Sequence, residues 1–247
     1  MNIGIIGSGH IGSLLAKLFI SAGHQVSIAN SRSLQLLATL AAETGVMPAT
    51  VEQVVVDKHV VVIAIPEGSI INLPRDLFNR AAAGTIVVDT GNYYPEVRDA
   101  QIAEIDNGLT ESGWVSQKLS IPIVKAFNNI TAWSLETRGL PPGAPGRVCL
   151  SVAGDNTNDK RVILELIDQI GFDGIDAGTL ADSWRQQPGA PAYCRDLDVS
   201  AMTTALKYAE YTNILQYRMN AMTEAKRAVE EAGSLAAAVA NSGKPGR

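Results

Sequence analysis

Asn2-Ile3-Gly4-Ile5-Ile6-Gly7-Ser8-Gly9-His10-Ile11-Gly12, followed by Gln25-Val26-Ser27-Ile28-Ala29-Asn30-Ser31-Arg32, decides the fold. Asn2–Ile6 is an apolar run of strand length. Glycines at 7, 9 and 12 follow at once. Ile11, Leu14, Leu15, Leu18 and Phe19 then recur at the spacing of one helix face. Gln25–Ala29 is a second strand. A glycine loop alone is a weak signal, but strand, loop, helix and second strand in register make it a dinucleotide site. Gly7 permits the tight turn, Gly9 leaves room for a pyrophosphate, and Gly12 lets the helix pack closely on the strand. The helix start turns free N–H groups and a positive dipole end toward phosphate.

The end of the second strand selects the dinucleotide. An NAD site usually carries Asp or Glu about 20 residues past the loop, bonded to the ribose 2′-hydroxyl. Ala29-Asn30-Ser31-Arg32-Ser33 has no carboxylate. Asn30 and Ser31 offer neutral donors, and the Arg32 guanidinium matches a 2′-phosphate in charge and geometry. The expectation is NADP rather than NAD.

Composition narrows the class. The chain has 247 residues, 46% hydrophobic and 18% charged, with a net charge of −5. That is an ordinary globular balance. The negative charge and the lack of Lys/Arg runs argue against nucleic acid as a partner. The two cysteines, Cys149 and Cys194, have no metal or redox spacing, and no His/Cys cluster suggests a metal. No apolar run approaches membrane-span length, and the first strand starts at residue 2, so the expected location is cytoplasmic, away from membranes.

Strands and helices alternate along the chain. Val60–Ile65, Thr85–Asp89 and Ile121–Ala126 read as buried strands, with helices near 33–44, 72–83 and 110–119 and a short one at 51–55. The order βαβαβ predicts an α/β fold, a doubly wound parallel sheet with a C-terminal extension ending in a long helix. Arg147–Ala153 and Gly174–Asp176 are further strands, Asn158–Ile170 a helix, and Leu197–Glu231 one long helix or two. The expected division is a nucleotide domain over 1–183, a helical segment over 184–240 that forms a homodimer interface, and a flexible tail over 241–247.

Ligands bind at the carboxyl ends of such strands. The segments there are Ile65-Pro66-Glu67-Gly68, Asp89-Thr90-Gly91-Asn92-Tyr93-Tyr94-Pro95 and Lys125-Ala126-Phe127-Asn128-Asn129-Ile130. Lys125 reads as a solvated strand-end lysine, and Trp184, in a loop-like stretch, as the best tryptophan for stacking on a ligand. Asp196 and Asp198 read as helix-capping residues.

With these motifs, and with Val152-Ala153-Gly154-Asp155 and Asp176-Ala177-Gly178-Thr179-Leu180, the chain resembles the F420-dependent NADP oxidoreductases. It also resembles the oxidoreductase domain that STEAP metalloreductases carry before their membrane helices. The resemblance covers about residues 1–183. It implies a Rossmann-type NADP domain that passes hydride between NADPH and a flavin-like or F420-like second cofactor. It implies further that Gly7, Ser8, Gly9, His10, Ile11 and Gly12 hold the pyrophosphate, and that Asn30, Ser31 and Arg32 surround the 2′-phosphate. Ile65 and Pro66 would line the cofactor's path, Asn92 and Ala126 would flank the nicotinamide, and Asn128 and Ile130 would face the acceptor. The F420 enzymes have a histidine in the segment aligned with Phe127–Ile130. Asn128 stands here, as in the STEAP-type domains, so flavin and F420 remain alternatives.

Two other readings stand beside this one. One is a dehydrogenase or imine reductase for a small carbon substrate, with Leu197–Glu231 as a remnant helical domain carrying Lys207. The other is a non-catalytic NADP-binding redox sensor, consistent with the lack of an evident proton-transfer residue. The cofactor expectation is checked directly. NADPH is expected to bind much more tightly than NADH, and Arg32→Ala to remove most of that difference, as measured by the two dissociation constants.

Overall fold

The computed structural model describes residues 1–31 and 34–244. Arg32, central to the NADP expectation, lies outside the described residues, as do Ser33 and the end of the predicted tail.

The core is a six-stranded parallel sheet in the order β3-β2-β1-β4-β5-β6. Its strands are β1 Asn2–Ile6, β2 Gln25–Ala29, β3 Met47–Pro48, β4 Val60–Ile63, β5 Ile86–Asp89 and β6 Val124–Lys125. This is the order of dinucleotide-binding sheets, and it reverses between β1 and β4, where the crevice opens. Alternation along the strands explains the two-sided core. Ile3, Ile5, Val60, Val62, Ile86 and Val88 pack into one hydrophobic layer. Ile6, Val61, Ile63 and Val87 pack into the layer on the other side, with Trp114 and Val115. The apolar residues that fill most positions of β1, β2, β4 and β5 are what a sheet covered on both faces requires.

Helix α1 (His10–Ser21) crosses from β1 to β2 and buries Leu15, Ala16 and Phe19. Phe19 stands edge-on to Phe127 at 6.1 Å, tying the first helix to the turn after β6. Helix α2 is Ala38–Thr44, preceded by a 3-10 turn at Leu34–Leu37. On the opposite face are α3 (Ala103–Asp106) and α4 (Glu111–Leu119), the latter capped by the Thr110 side chain. Helix α5 (Ala132–Thr137) follows β6. Strands β7 (Cys149–Val152) and β8 (Asp173–Asp176) form a parallel pair spanned by α6 (Thr157–Gln169). One antiparallel bridge, Lys125 with Ala153, joins this pair to the edge of the main sheet.

Several expected elements differ. The predicted helix over 72–83 is only a 3-10 turn at Leu77–Arg80. Pro74 lacks an N–H and drives Leu73 into an extended conformation, which stops a helix there. Residues 51–55 form turns, not a helix. The strand predicted over Ile121–Ala126 pairs only at Val124–Lys125, because Pro122 cannot donate to a ladder. Of the one or two helices expected over 197–231 the structure has two, α7 (Val199–Tyr208) and α8 (Ile214–Ala232), and α9 (Leu235–Asn241) follows. Ala209 and Glu210 are extended between them. Tyr211 pins that break by donating to the Gly108 carbonyl at 3.1 Å. Asp198 caps α7 through the Ala201 N–H, as its sequence suggests.

Among the described residues no helix is long and apolar enough to cross a membrane.

Phe19→Ala removes the aromatic contact between α1 and the β6 turn and opens a cavity in a tightly packed layer. The expected loss is about 3–5 kcal/mol in urea unfolding, in the range for large-to-small core substitutions.

Candidate functional site

The glycine loop has the geometry its sequence promises. Gly7 takes φ +115°, and its N–H donates to the Ala29 carbonyl at 2.8 Å, stitching the loop to β2. A Cβ on Gly12 would strike the Gly7 carbonyl, so only glycine lets α1 start this close to the strand. Gly9 is the N-cap of α1, with no side-chain cap, no acidic first turn, and open space where a Cβ would stand. Free N–H groups beside open space, with no competing carboxylate, fit a pyrophosphate. Ser8 is half-buried and His10 exposed. Asn30 is half-buried and Ser31 exposed at the end of β2. Ile65 packs beside Gly7, and Pro66 is exposed.

Beside this loop lies a cleft of about 640 Å³. Ile11, Asn92 and Ile130 form its sheet side. Tyr94, Tyr193 and Cys194 form one flank, and residues of α8 and α9 from Asn220 to Val239 form the roof. The cleft thus joins the start of α1 to the two loops that follow β5 and β6. The Tyr94 and Tyr193 hydroxyls are hydrogen-bonded to one another at 2.9 Å. Burial pushes the Tyr94 phenol above its usual range, with Cys194 adding to it.

An amide network holds the wall. The Asn92 side chain donates to the Asn128 carbonyl, and the Asn128 side chain donates back to Asn92 Oδ1, each at 3.1 Å. Asn128 also donates to the Gln186 carbonyl at 2.7 Å, and the Gln186 amide donates to Asn128 Oδ1 at 2.9 Å. Arg98 binds the Asn92 carbonyl. Phe127, at φ +60°, makes the turn that carries Asn128 into this network. A bulky residue in the left-handed region is costly and persists only where packing demands it.

The structure therefore brings Ile11, Asn92 and Ile130 to one cleft. Asn128 lies behind Asn92 as its support, and Ala126 is buried in the core layer beneath. Trp184 is placed differently from expectation. Its ring stands edge-on to Tyr211 at 5.3 Å, with Arg185 over it, outside the cleft walls.

Lys125 corrects the sequence reading most. It is fully buried, not solvated. Its Nζ bonds Asp89 Oδ2 at 2.9 Å and the Gly91 carbonyl at 2.5 Å. Asp89 also accepts from Ser112 Oγ at 2.5 Å and from the Gly91 N–H at 2.8 Å. Burial works against the ammonium, yet Asp89, Glu67 and Glu111 outweigh it and hold the group above its ordinary range. Glu67, Glu111, Gln186 and the α8–α9 roof were not singled out as site residues by the sequence. Glu67 carried a faint signal as an acid just after Ile65-Pro66. Glu111 carried none, since its element is distant in sequence. Lys207, the candidate of the dehydrogenase reading, is exposed on α7 beside Tyr208.

Together the strand order, the glycine turn and the crevice define a dinucleotide-binding protein of the Rossmann type. Residues 2–93 match the family described as NADP oxidoreductase, coenzyme F420-dependent. Over that stretch, which carries the glycine loop and strands β1 to β5, the chain is similar to this family. It is similar to the hypothetical protein SMa0349 of Sinorhizobium meliloti, with 31% identity and TM-score 0.67 over 80% of this chain and 95% of that one. A candidate F420-dependent NADP reductase from Arthrobacter sp. FB24 shares the fold, with 19% identity and TM-score 0.61 over 95% and 96%. Rat metalloreductase STEAP3 is 27% identical over 188 residues, 73% of this chain and 34% of its own length. The chain spans 34% to 52% of the length of the curated relatives it matches.

Lys125→Met leaves Asp89 and its acidic neighbours buried without their cation. The expected cost is about 3–5 kcal/mol in urea unfolding at pH 7. Lys125→Met combined with Asp89→Asn should lose less than the two single changes added together, because the pair shares one interaction.

Proposed function

We propose that the chain is an NADP(H)-dependent oxidoreductase transferring hydride between NADPH and a flavin-like or F420-like acceptor in the cleft. The observation that carries this reading is the shared wall. Ile11 belongs to the helix of the glycine loop, while Asn92 and Ile130 end the two loops opposite, and all three border one cavity large enough for a ring system.

When bound, NADPH supplies the hydride. The protein's share is placement. The backbone of Gly7–Gly12 would cradle the pyrophosphate, and Arg32, with Asn30 and Ser31, would take the 2′-phosphate. Asn92 is held on both sides by Asn128, so its amide is oriented in advance. Ile11 and Ile130, under the apolar roof of α8 and α9, would exclude water from the reacting edge. Hydride exchange between two such rings requires little acid–base help, which suits a wall of amides and aliphatic groups.

One observation favours the second reading, reduction of a small carbonyl or imine. The Tyr94–Tyr193 hydroxyl pair stands in the cleft and is a proton donor of the type such substrates need. A homodimer is part of the proposal. Tyr208, Leu215 and Met219 expose apolar surface at the α7–α8 turn.

The test is NADPH oxidation with FMN, F420, a ferric chelate and a cyclic imine. Turnover of FMN or F420 with a clear preference for NADPH over NADH is the expected result. Turnover of the imine alone would move the assignment to the second reading. Tight NADPH binding without any turnover would identify a redox sensor.

A further inference from the structure

Hydride transfer as proposed leaves one buried group unused. Glu67, Asp89 and Glu111 surround Lys125 beyond the ends of β4, β5 and β6, and all four are buried. Three carboxyls thus face one ammonium. Asp89 is fully engaged with Lys125, Ser112 and the Gly91 N–H. Both Glu67 oxygens and Glu111 Oε2 are buried with no hydrogen-bond partner among the described residues. Glu67 also faces Asp99 from the loop after β5, and Glu111 faces Arg218 from α8. No metal-binding group of His, Cys, Asp or Glu occurs among the described residues. A buried carboxyl that lacks a partner favours its protonated, neutral form.

The cluster sits directly under the cleft wall. Glu67 and Asp89 converge on Gly91. A Cβ there would collide with Glu67 Oε2 and stand 2.9 Å from Asp89 Oδ1. The next residue is Asn92, in the wall itself. Charge on the cluster therefore acts on the cleft across a single residue in a low-dielectric interior, where Coulomb terms are large.

The two cofactor states differ in one respect relevant to this field. The nicotinamide ring of NADP⁺ is positively charged, and that of NADPH is neutral. We propose that the Glu67–Asp89–Glu111–Lys125 cluster, by holding or releasing a proton, sets the preference of the site between oxidised and reduced NADP. The proposal rests on the NADP(H) reading above. A protonated cluster suits NADPH. A cluster that has lost a proton from Glu67 or Glu111 attracts the cationic ring. Burial, reinforced by Asp89, raises the Glu67 carboxyl well above the usual range. Burial raises Glu111 to about 7, against the pull of Lys125 and Arg218. The exchange thus falls at and above neutral pH. By linkage, replacing bound NADPH with NADP⁺ expels part of a proton from the cluster.

The test requires no acceptor. Dissociation constants for NADP⁺ and NADPH are measured with the full chain from pH 6 to pH 9. Their ratio is read because titration of the shared 2′-phosphate cancels in it. The ratio Kd(NADP⁺)/Kd(NADPH) is expected to fall about fivefold or more as pH rises, the lower end of ordinary coupling between linked sites. Glu67→Gln with Glu111→Gln mimics the protonated cluster, and there the ratio should stay near its low-pH value. Glu67→Gln alone, should the double variant not fold, should flatten part of the slope. A pH-independent ratio in the wild type overturns the proposal, as does an undiminished slope in a folded variant. Failure to bind either cofactor overturns the NADP(H) reading itself, a distinct result.

Discussion

The Lys125 ammonium, fixed between Asp89 Oδ2 and the Gly91 carbonyl, is the interaction on which the site depends. It bridges the ends of β5 and β6, the strands farthest from the glycine loop. It adds a buried charge pair to the short β5–β6 ladder, in which β6 pairs through two residues, and to the Asn92–Asn128 hydrogen bonds farther along the two loops. With it Gly91 is clamped from both its N–H and its carbonyl, and Asn92 is delivered to the cleft wall. A charge pair taken out of water is expensive, and additional hydrogen bonds are what make it tolerable. Asp89 has them from Ser112 and Gly91; Glu67 does not.

The same economy appears across the sheet. Strands β4, β5 and β6 are buried along their length, so the polar groups that meet the crevice stand at and beyond the strand ends. The glycine loop occupies one side of the crevice and the Asn92–Asn128–Gln186 amides the other. Helices α8 and α9 close the third side. They come from the far end of the chain and reach the cleft through an ion pair of Arg218 with Asp106 and one of Lys226 with Glu96. The Lys226–Glu96 pair is exposed and contributes little, whereas Arg218 is buried and its guanidinium also stands over the Tyr93 ring.

Much of the fold was legible because its signals are local. Asn2–Gly12 spells out a strand, a turn and a helix within reach of one another, and Val60–Ile63 and Ile86–Asp89 are too uniformly apolar to be anything but buried strands. The misreadings were also local. Pro74 and Pro122 were present in the predicted helix and strand, and each removed the backbone donor the element needed. The site was legible only in part. Asn92 and Ile130 lie in the cleft because strand-end loops must face the crevice. Lys125 misled because the sequence does not show what covers a strand end, and here the neighbours were Asp89, Glu67 and Glu111. Trp184 misled because its partner, Tyr211, follows it by 27 positions, at a break between helices that the sequence allowed but did not locate.

The sequence by itself determined the parallel sheet, the phosphate-binding turn and the absence of a ribose-binding carboxylate after β2. These are consequences of periodicity, glycine sterics and charge within short segments, which need no knowledge of the rest of the chain. Only the tertiary structure decided which polar groups would be buried together. The charged cluster under Gly91, the amide network behind Asn92 and the helical roof over Ile11 join residues far apart in the chain, the roof and Ile11 by more than 200 positions. Their energies come from desolvation and pairing, and those are settled only when distant segments exclude water from the same place.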